Sequence, residues 1–525
     1  MIDIKKVMSE LTLEEKAGLC SGQTFWLTKA IERLGVPSVM MTDGPHGLRK
    51  EVQKSGGTNI MKGSEPSTCF PTAVTTASSW DRQLLFGVGK AIGEEAIDQG
   101  VSTVLGPGTN IKRSPLCGRN FEYFSEDPYL AGEMATAFIK GTKSVKVGNS
   151  LKHYAANNQE YLRMSIDAKV DERTLREIYL PAFETAVKEA QPQQVMCSYN
   201  MLNGEFVSDS KRMLNDILRE EWGFEGIVVS DWGATNDRVL GIKGGLDLEM
   251  PGNKGMNDRQ IVKAVNEGRL SMEELDVVVE RMLRYISECA EQKAANEGKK
   301  ADYAAHHQVA RTAAAESAVL LKNDDNLLPL EKTAKVALIG KLAEVVRYQG
   351  SGSSHIVPTR LDSVLSAMDE AGVKYVYEPG YTLKKDGFNQ KLLDKALEAA
   401  KLADKVVCVI GLTDIYESEG FDRTHMELPL GHNKLAMELL KIRPDTVFVL
   451  EGGSPVTLPW FDDAKAVLNM YLGGQAVGSA IVDLVFGDKN PCGKLAETYP
   501  YQNESCSAAK LFPLSLIHIS EPQRH

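Results

Sequence analysis

Short apolar runs alternate with longer amphipathic stretches along the first 290 residues of the chain. The runs at 36–43 (VPSVMMTD), 102–108 (STVLGPG), 149–155 (NSLKHYA), 194–200 (QVMCSYN) and 226–233 (GIVVSDWG) predict buried strands. The stretches at 171–190 and 210–223 predict helices between them. The opening residues, MIDIKKVMSELTLEEKAGL, predict an amphipathic helix or two short ones, with Thr12 capping the second and Glu15 three residues on. Strands that alternate with helices imply a mostly parallel sheet. The number of units suits a (β/α)8-like TIM-type barrel, and a doubly wound open sheet is the competing arrangement.

The pattern changes around 290–306, where CAEQKAANEGKKADYAAHH (289–307) is polar, Ala-rich and charged, so a partly helical linker is expected. A helix follows, then a turn closing at Pro329, then a second α/β unit. Its predicted strands are 335–340, 374–380, 405–411, 445–453 and 466–474. The expected division is a barrel over 1–289, a linker and connecting helix over 290–330, an (α/β)6 sandwich over 331–513 and a tail over 514–525. The tail, LSLIHISEPQRH with its neighbours, reads as foreign or misread sequence, from which truncation of a longer natural protein is expected.

Composition narrows the function classes. The chain has 525 residues, 43% apolar and 25% charged, ample for two large cores. A net charge of −11 weighs against nucleic acid as partner and is compatible with a neutral substrate. No apolar run approaches the ~18 residues of a membrane span, and no apolar signal core opens the chain. The eight cysteines are scattered without CxxC spacing, so zinc and redox motifs are unsupported and a cytoplasmic enzyme with reduced thiols is expected. Nothing here calls for a metal or cofactor. An oligomer is compatible with the sequence.

Chemistry gathers at the predicted strand ends: Asp43; Lys152 and His153; Tyr199 and Asn200; Asp231 and Trp232. In parallel α/β folds the ligand site lies at the C-terminal ends of the strands, so these residues are expected to share one pocket. In the second unit, GSGSS (350–354) and ESEGFDR (417–423) are loops rich in polar groups. Neither carries a phosphate-binding pattern.

The segments TDGPHGLR, GRNFEYFSEDP, LKHYAANNQE, MCSYN, VVSDWGA, ESEGFDR and GKLAETYP occur in this order. Together they resemble the β-glucosidases of glycoside hydrolase family 3, over nearly the whole chain. The resemblance implies a (β/α)8-like barrel, an (α/β)6 sandwich and an active site between them. It implies retaining, exo-acting hydrolysis of terminal non-reducing β-D-glucosyl residues from β-glucosides or short β-gluco-oligosaccharides. Two carboxyl groups about 5–5.5 Å apart would do this, one ionised to attack and one protonated to assist the leaving oxygen. Asp231 matches the nucleophile, with Lys152, Arg119 and Arg163 as neighbours that would keep it ionised. Glu419 matches the acid/base, with Glu417 as its rival. Asp43, Arg119, Lys152, His153 and Arg163 would hydrogen-bond the sugar. Tyr199 would sit near the nucleophile, Trp232 would stack on the sugar or line the entrance, and Ser351 of GSGSS would reach the site.

Departures from the family pattern also inform the reading. KHYAANNQE stands where the N-acetylglucosaminidase branch has a KHFPGHG-like run, which disfavours that branch. The stretch between GSGSS and ESEG is too short for an inserted β-rich module. A fibronectin-III-like domain after GKLAETYP is expected to be absent. A β-xylosidase or a dual glucosidase/xylosidase remains open. So does an aldolase using Lys152 as a Schiff-base lysine, or an inactive sugar-binding fragment.

Overall fold

The computed structural model describes residues 2–52, 63–506 and 508–509, and the backbone of 516–519. Of the expected tail, 514–515 and 520–525 lie outside the described residues. The backbone of Leu516–Ile519 runs parallel to a short strand at Asp167–Val170.

Two short helices, Ile4–Glu10 and Leu13–Leu19, open the chain, and Thr12 and Glu15 form a reciprocal capping box on the second. Five parallel strands then build one sheet in sequence order: β1 (Met41–Asp43), β2 (Thr103–Gly108), β3 (Gly148–Tyr154), β4 (Gln194–Cys197) and β5 (Ile227–Ser230). Every residue of these strands is buried, as expected for a sheet covered on both faces. The ring closes through single bridges rather than full strands. Val229 pairs with Leu248 and Glu249 with Ser21, both parallel; Gly22 then pairs with Thr28 and Leu27 with Met40, both antiparallel.

The barrel is therefore less regular than eight alternating strand–helix units. The reason is the loop length between Gly22 and Thr28. A parallel return needs a crossover of about a dozen residues. The segment GQTFWLT is too short for that, so it must turn back antiparallel. The helix expected over 171–190 is also interrupted. A π-helical turn at Leu175–Tyr179 precedes Pro181, which starts the helix Pro181–Ala190. Proline supplies no backbone N–H and is tolerated in the first turn of a helix.

The second domain is a six-stranded sheet built from β6 (Val319–Asn323), β7 (Val336–Ile339), β8 (Tyr375–Glu378), β9 (Lys405–Gly411), β10 (Thr446–Glu451) and β11 (Ala466–Tyr471). The spatial order is β8-β7-β9-β10-β11-β6, parallel except for the antiparallel edge β6. Its helices fall into two packed groups: Tyr303–Ser317 and Val364–Glu370 against Val477–Val485, and Gln390–Leu402 against Leu430–Ile442.

The connection differs from the expected 290–330 linker at both ends. Helix Met272–Ala295 belongs to the barrel and runs past residue 289, while β6 belongs to the second sheet. The Asn296 side chain between them is buried and donates to the Val145 and Lys146 carbonyls. His306 on the connecting helix bonds Glu95 and Glu94 of the barrel helix Arg82–Asp98 at 2.8 and 2.9 Å. These contacts tie the second domain to the barrel's side. The loops after β7 and β9 consequently reach over the C-terminal ends of β1, β3, β4 and β5.

Candidate active site

A cavity of about 350 Å³ opens at those strand ends. Asp43 closes β1, Lys152 and His153 lie near the end of β3, Tyr199 follows β4, and Asp231 follows β5. Arg119 and Arg163 come from loops after β2 and β3. From the second domain come Gly352, Ser353, Glu419 and Gly420, and from the short loop after the second helix come Phe25 and Trp26. All the residues expected to form the site line this cavity except Ser351 and Asn200.

Its floor is a chain of buried charges. Asp43 accepts a hydrogen bond from Lys152 Nζ at 3.1 Å, and the same nitrogen lies 3.2 Å from Glu122. Glu122 in turn receives Arg119 Nε and Nη2 at 2.9 and 2.8 Å. Burial by itself would lower the Lys152 ammonium, but Asp43 and Glu122 outweigh it and hold it above its ordinary value. Such a lysine stays protonated, whereas a Schiff-base lysine needs a depressed value. The paired Lys152 lends no support to the aldolase reading.

His153 is locked as a neutral ring. Burial lowers it first, then the Arg119, Lys152 and Arg163 cations, all well below the ordinary histidine value. Its Nε2 faces Arg119 Nη2 at 3.1 Å and so accepts, and its Nδ1 carries the proton toward Asn110 Oδ1 at 3.3 Å. The Asn110 side chain also brackets the His153 backbone: its Nδ2 donates to the His153 carbonyl and its Oδ1 accepts the His153 N–H, both at 2.8 Å. The ring approaches Asp231 to 3.7 Å without offering it a charge.

Asp231 accepts the Trp232 backbone N–H at 2.7 Å. Burial raises its carboxyl above the ordinary range, with Arg119 and Lys152 pulling the other way. Glu419 is held oppositely. Burial would raise it, yet Arg119, Arg163 and the Ser353 N–H keep it far below the usual carboxylate range. Arg163 Nη1 donates to it at 2.9 Å and Ser353 N at 2.6 Å. The same Nη1 donates to Glu160 at 2.7 Å, and burial pushes Glu160 up to about 7.

Three expectations are corrected or resolved here. The Ser351 hydroxyl turns toward Arg347 at 3.4 Å, and it is the Ser351 carbonyl that receives the Glu419 N–H at 3.0 Å. The reach into the cavity passes instead to Gly352 and Ser353. Gly352 has φ +121°, and a Cβ there would lie 2.4 Å from Glu419 Cβ, so only glycine lets the loop pass this close. Glu417, the rival acid, is fully buried beside the second sheet, where it accepts Gly453 N at 2.7 Å and Ser454 Oγ at 3.1 Å. It does not line the cavity. Asn200 is likewise structural, donating to the Ala155 and Met201 carbonyls.

An aromatic wall faces the charges. Trp232 donates its indole N–H to the Phe25 carbonyl at 2.8 Å, and its ring lies 5.3 Å from Trp26 and 6.3 Å from Phe25. Tyr199 donates to the Trp232 carbonyl at 3.1 Å and lies under the Arg163 guanidinium at 5.0 Å. Sequence reasoning missed Glu122, Glu160, Phe25, Trp26 and Arg49, which follows β1 and also lines the cavity. Glu122 and Glu160 sit inside GRNFEYFSEDP and LKHYAANNQE, so those segments held the signal. Phe25 and Trp26 had none beyond being adjacent aromatics in a short loop.

The glycosyl hydrolase family 3 N terminal domain matches residues 23–285, and the glycosyl hydrolase family 3 C-terminal domain matches 318–517. A thermostable beta-glucosidase B of Acetivibrio thermocellus is 55% identical over 502 residues, covering 95% of this chain and 66% of that protein. An exo-alpha-(1->6)-L-arabinopyranosidase of Bifidobacterium breve is 46% identical over 503 residues, covering 94% of this chain and 66% of its own length. The chain thus spans just under two thirds of these curated relatives. The crystal structure of a Bifidobacterium adolescentis GH3 beta-glucosidase superposes with a TM-score of 0.92 at 44% identity, covering 97% of this chain and 74% of that one.

Proposed function

Starting from a chain that belongs to glycosyl hydrolase family 3, we propose that it is a retaining, exo-acting β-glucosidase with Asp231 as nucleophile and Glu419 as acid/base. The observation that carries the reading is the meeting of these two carboxylates, one from each domain, in a cavity of about 350 Å³ walled by Trp232 and Trp26. That volume suits one sugar ring, and the aromatic wall suits the apolar face of a glucosyl unit.

In the first half-reaction Asp231 attacks the anomeric carbon and Glu419 gives its proton to the leaving oxygen, which leaves a glycosyl ester on Asp231. In the second, Glu419 takes a proton from water as the water attacks the same carbon, and Asp231 departs as carboxylate. Asp43, held by Lys152, accepts from sugar hydroxyls; Arg119 and the neutral His153 complete the polar side. The chemistry is carried by these carboxylates and needs no cofactor.

The charge arrangement favours the second half. Arg119 and Arg163 keep Glu419 ionised, ready to act as base. The first half needs a proton on Glu419, so Arg163 must give up part of that contact to Glu160, which it already touches. A cytoplasmic setting fits the eight unpaired cysteines, six of them buried.

The test is release of nitrophenol from 4-nitrophenyl β-D-glucoside by the chain and by Asp231→Ala, with the β-D-xyloside and α-L-arabinopyranoside as parallel substrates. Activity greatest on the glucoside and lost in the variant supports the proposal. A preference for either other glycoside would replace glucose as the substrate sugar, and full activity of Asp231→Ala would refute the nucleophile.

A further inference from the structure

The segment ESEGFDR supplies Glu419 to the cavity, yet its Asp422 has no part in the chemistry above. Asp422 is partly buried and, among the described residues, has no cation against its carboxylate. What it has is backbone. Its Oδ1 receives Gly118 N at 3.0 Å and Glu160 N at 3.0 Å, and its Oδ2 receives Tyr161 N at 2.8 Å and Glu160 N at 3.1 Å.

These donors belong to two separate barrel loops. Gly118 immediately precedes Arg119, and Glu160 and Tyr161 lie just ahead of Arg163. Both arginines face Glu419, three residues before Asp422. One second-domain carboxylate therefore gathers both loops that shape the charge around the proposed acid/base. Neighbouring contacts run the same way. Gly420 N donates to Glu160 at 2.8 Å, and Arg423 N donates to the Leu116 carbonyl at 2.7 Å. The fit is close: a Cβ on Gly118 would lie 1.8 Å from the Phe421 carbonyl oxygen.

We infer that Asp422 is a positioning residue, a latch between the domains that sets Glu419 against Arg119 and Arg163. The carboxylate suits this task because an anion accepts several N–H groups at once, and such charge-assisted bonds are stronger than neutral ones. In Asp422→Asn one oxygen is replaced by an amide that would point its own hydrogens at the N–H groups. In Asp422→Ala all three donors lose their partner.

Two measurements on the full chain test it. The kinetic one rests on the glycosidase reading. It compares kcat/KM for 2,4-dinitrophenyl β-D-glucoside, whose leaving group needs no acid, with that for methyl β-D-glucoside, whose leaving group does. Displacing a catalytic group by about 1 Å costs on the order of 100-fold. The expected result is a loss of about that size on the methyl glucoside, and a much smaller one on the dinitrophenyl substrate, in Asp422→Ala, with Asp422→Asn between. Equal losses on both substrates, or none on either, would overturn it.

The second measurement is independent of any activity: amide hydrogen exchange of the segments 116–123 and 158–165. The latch predicts faster exchange in these two segments in both variants, while β2 and β3 keep their protection. Unchanged exchange there would overturn the inference, and so would uniform loss across the barrel. If the unaltered chain hydrolyses neither glucoside, the glycosidase reading fails and the exchange result alone decides the latch.

Discussion

Replacing Arg163 by Gln probes the tension between the two carboxylates most directly. Arg163 Nη1 lies 2.9 Å from Glu419 Oε1, with side-chain exposures of 19% and 14%. Both groups are sheltered enough for the attraction to be only partly screened. A unit charge pair about 4 Å apart is worth on the order of 4 kcal/mol at an effective dielectric of about 20. Each pH unit corresponds to about 1.36 kcal/mol. Two favourable neighbours remain in the variant, Arg119 at 3.9 Å and Ser353 N at 2.6 Å. Glu160 also loses its nearest cation, keeping the Gly420 N–H, and where ionised adds repulsion. The sign follows directly. Removing a cation beside a carboxylate favours its neutral form, so Glu419 keeps its proton to higher pH. The profile of kcat/KM against pH reports groups of the free enzyme, the state whose geometry is known. On 4-nitrophenyl β-D-glucoside, Arg163→Gln should move the alkaline limb upward by about one to two pH units. On the dinitrophenyl glucoside, where the acid contributes little, the limb should stay. A uniform fall in activity with the limb in place, or a downward move, would refute both the Arg163–Glu419 coupling and the acid role.

Glu419→Ala should lower kcat/KM by about 10²–10⁴-fold on poorly activated glucosides and far less on the dinitrophenyl substrate; equal losses would remove the acid assignment. Glu122→Gln leaves Lys152 and Arg119 short of a buried counter-charge. Breaking such a pair costs about 3–5 kcal/mol, which should lower the urea midpoint of unfolding. An unchanged midpoint would show that Asp43 alone suffices for Lys152. Gly118→Ala places a Cβ 1.8 Å from the Phe421 carbonyl and 2.4 Å from that of Ser418. It should push the Glu419 loop outward, with a loss of about 100-fold on methyl β-D-glucoside. Steady-state kinetics beside a thermal melt would separate this from general unfolding.

Much of the candidate site was legible because its polar side chains sit where strands end. Asp43, Lys152, His153, Tyr199 and Asp231 each terminate or follow an apolar run, and the parallel topology sends all those ends to one side. Ser351 was misjudged for a reason the chain cannot display. In a Gly/Ser loop every residue has a similar composition signal, and only the φ of Gly352 decides which backbone faces Glu419. Glu122, although inside a segment that stood out, was missed for another reason. Its partners Arg119 and Lys152 are identifiable, but a carboxylate that bridges two cations is known only once all three share a site.

What the sequence determined by itself is the alternation of strand and helix, the two α/β units, the capping box at Thr12 and the strand-end chemistry of the barrel. Each rests on local spacing: side chains two apart along a strand, three or four apart along a helix, or a cap three residues from its partner. The tertiary structure decided what depends on distance in space. It closed the barrel through an antiparallel segment too short for a crossover. It separated Glu419 from Glu417, two positions away, by turning one into the cavity and the other into the second sheet. It also joined Asp422 to Gly118 and Tyr161 across the domain boundary. No periodicity encodes such meetings, because they arise from how two separately folded sheets pack their loops against one another.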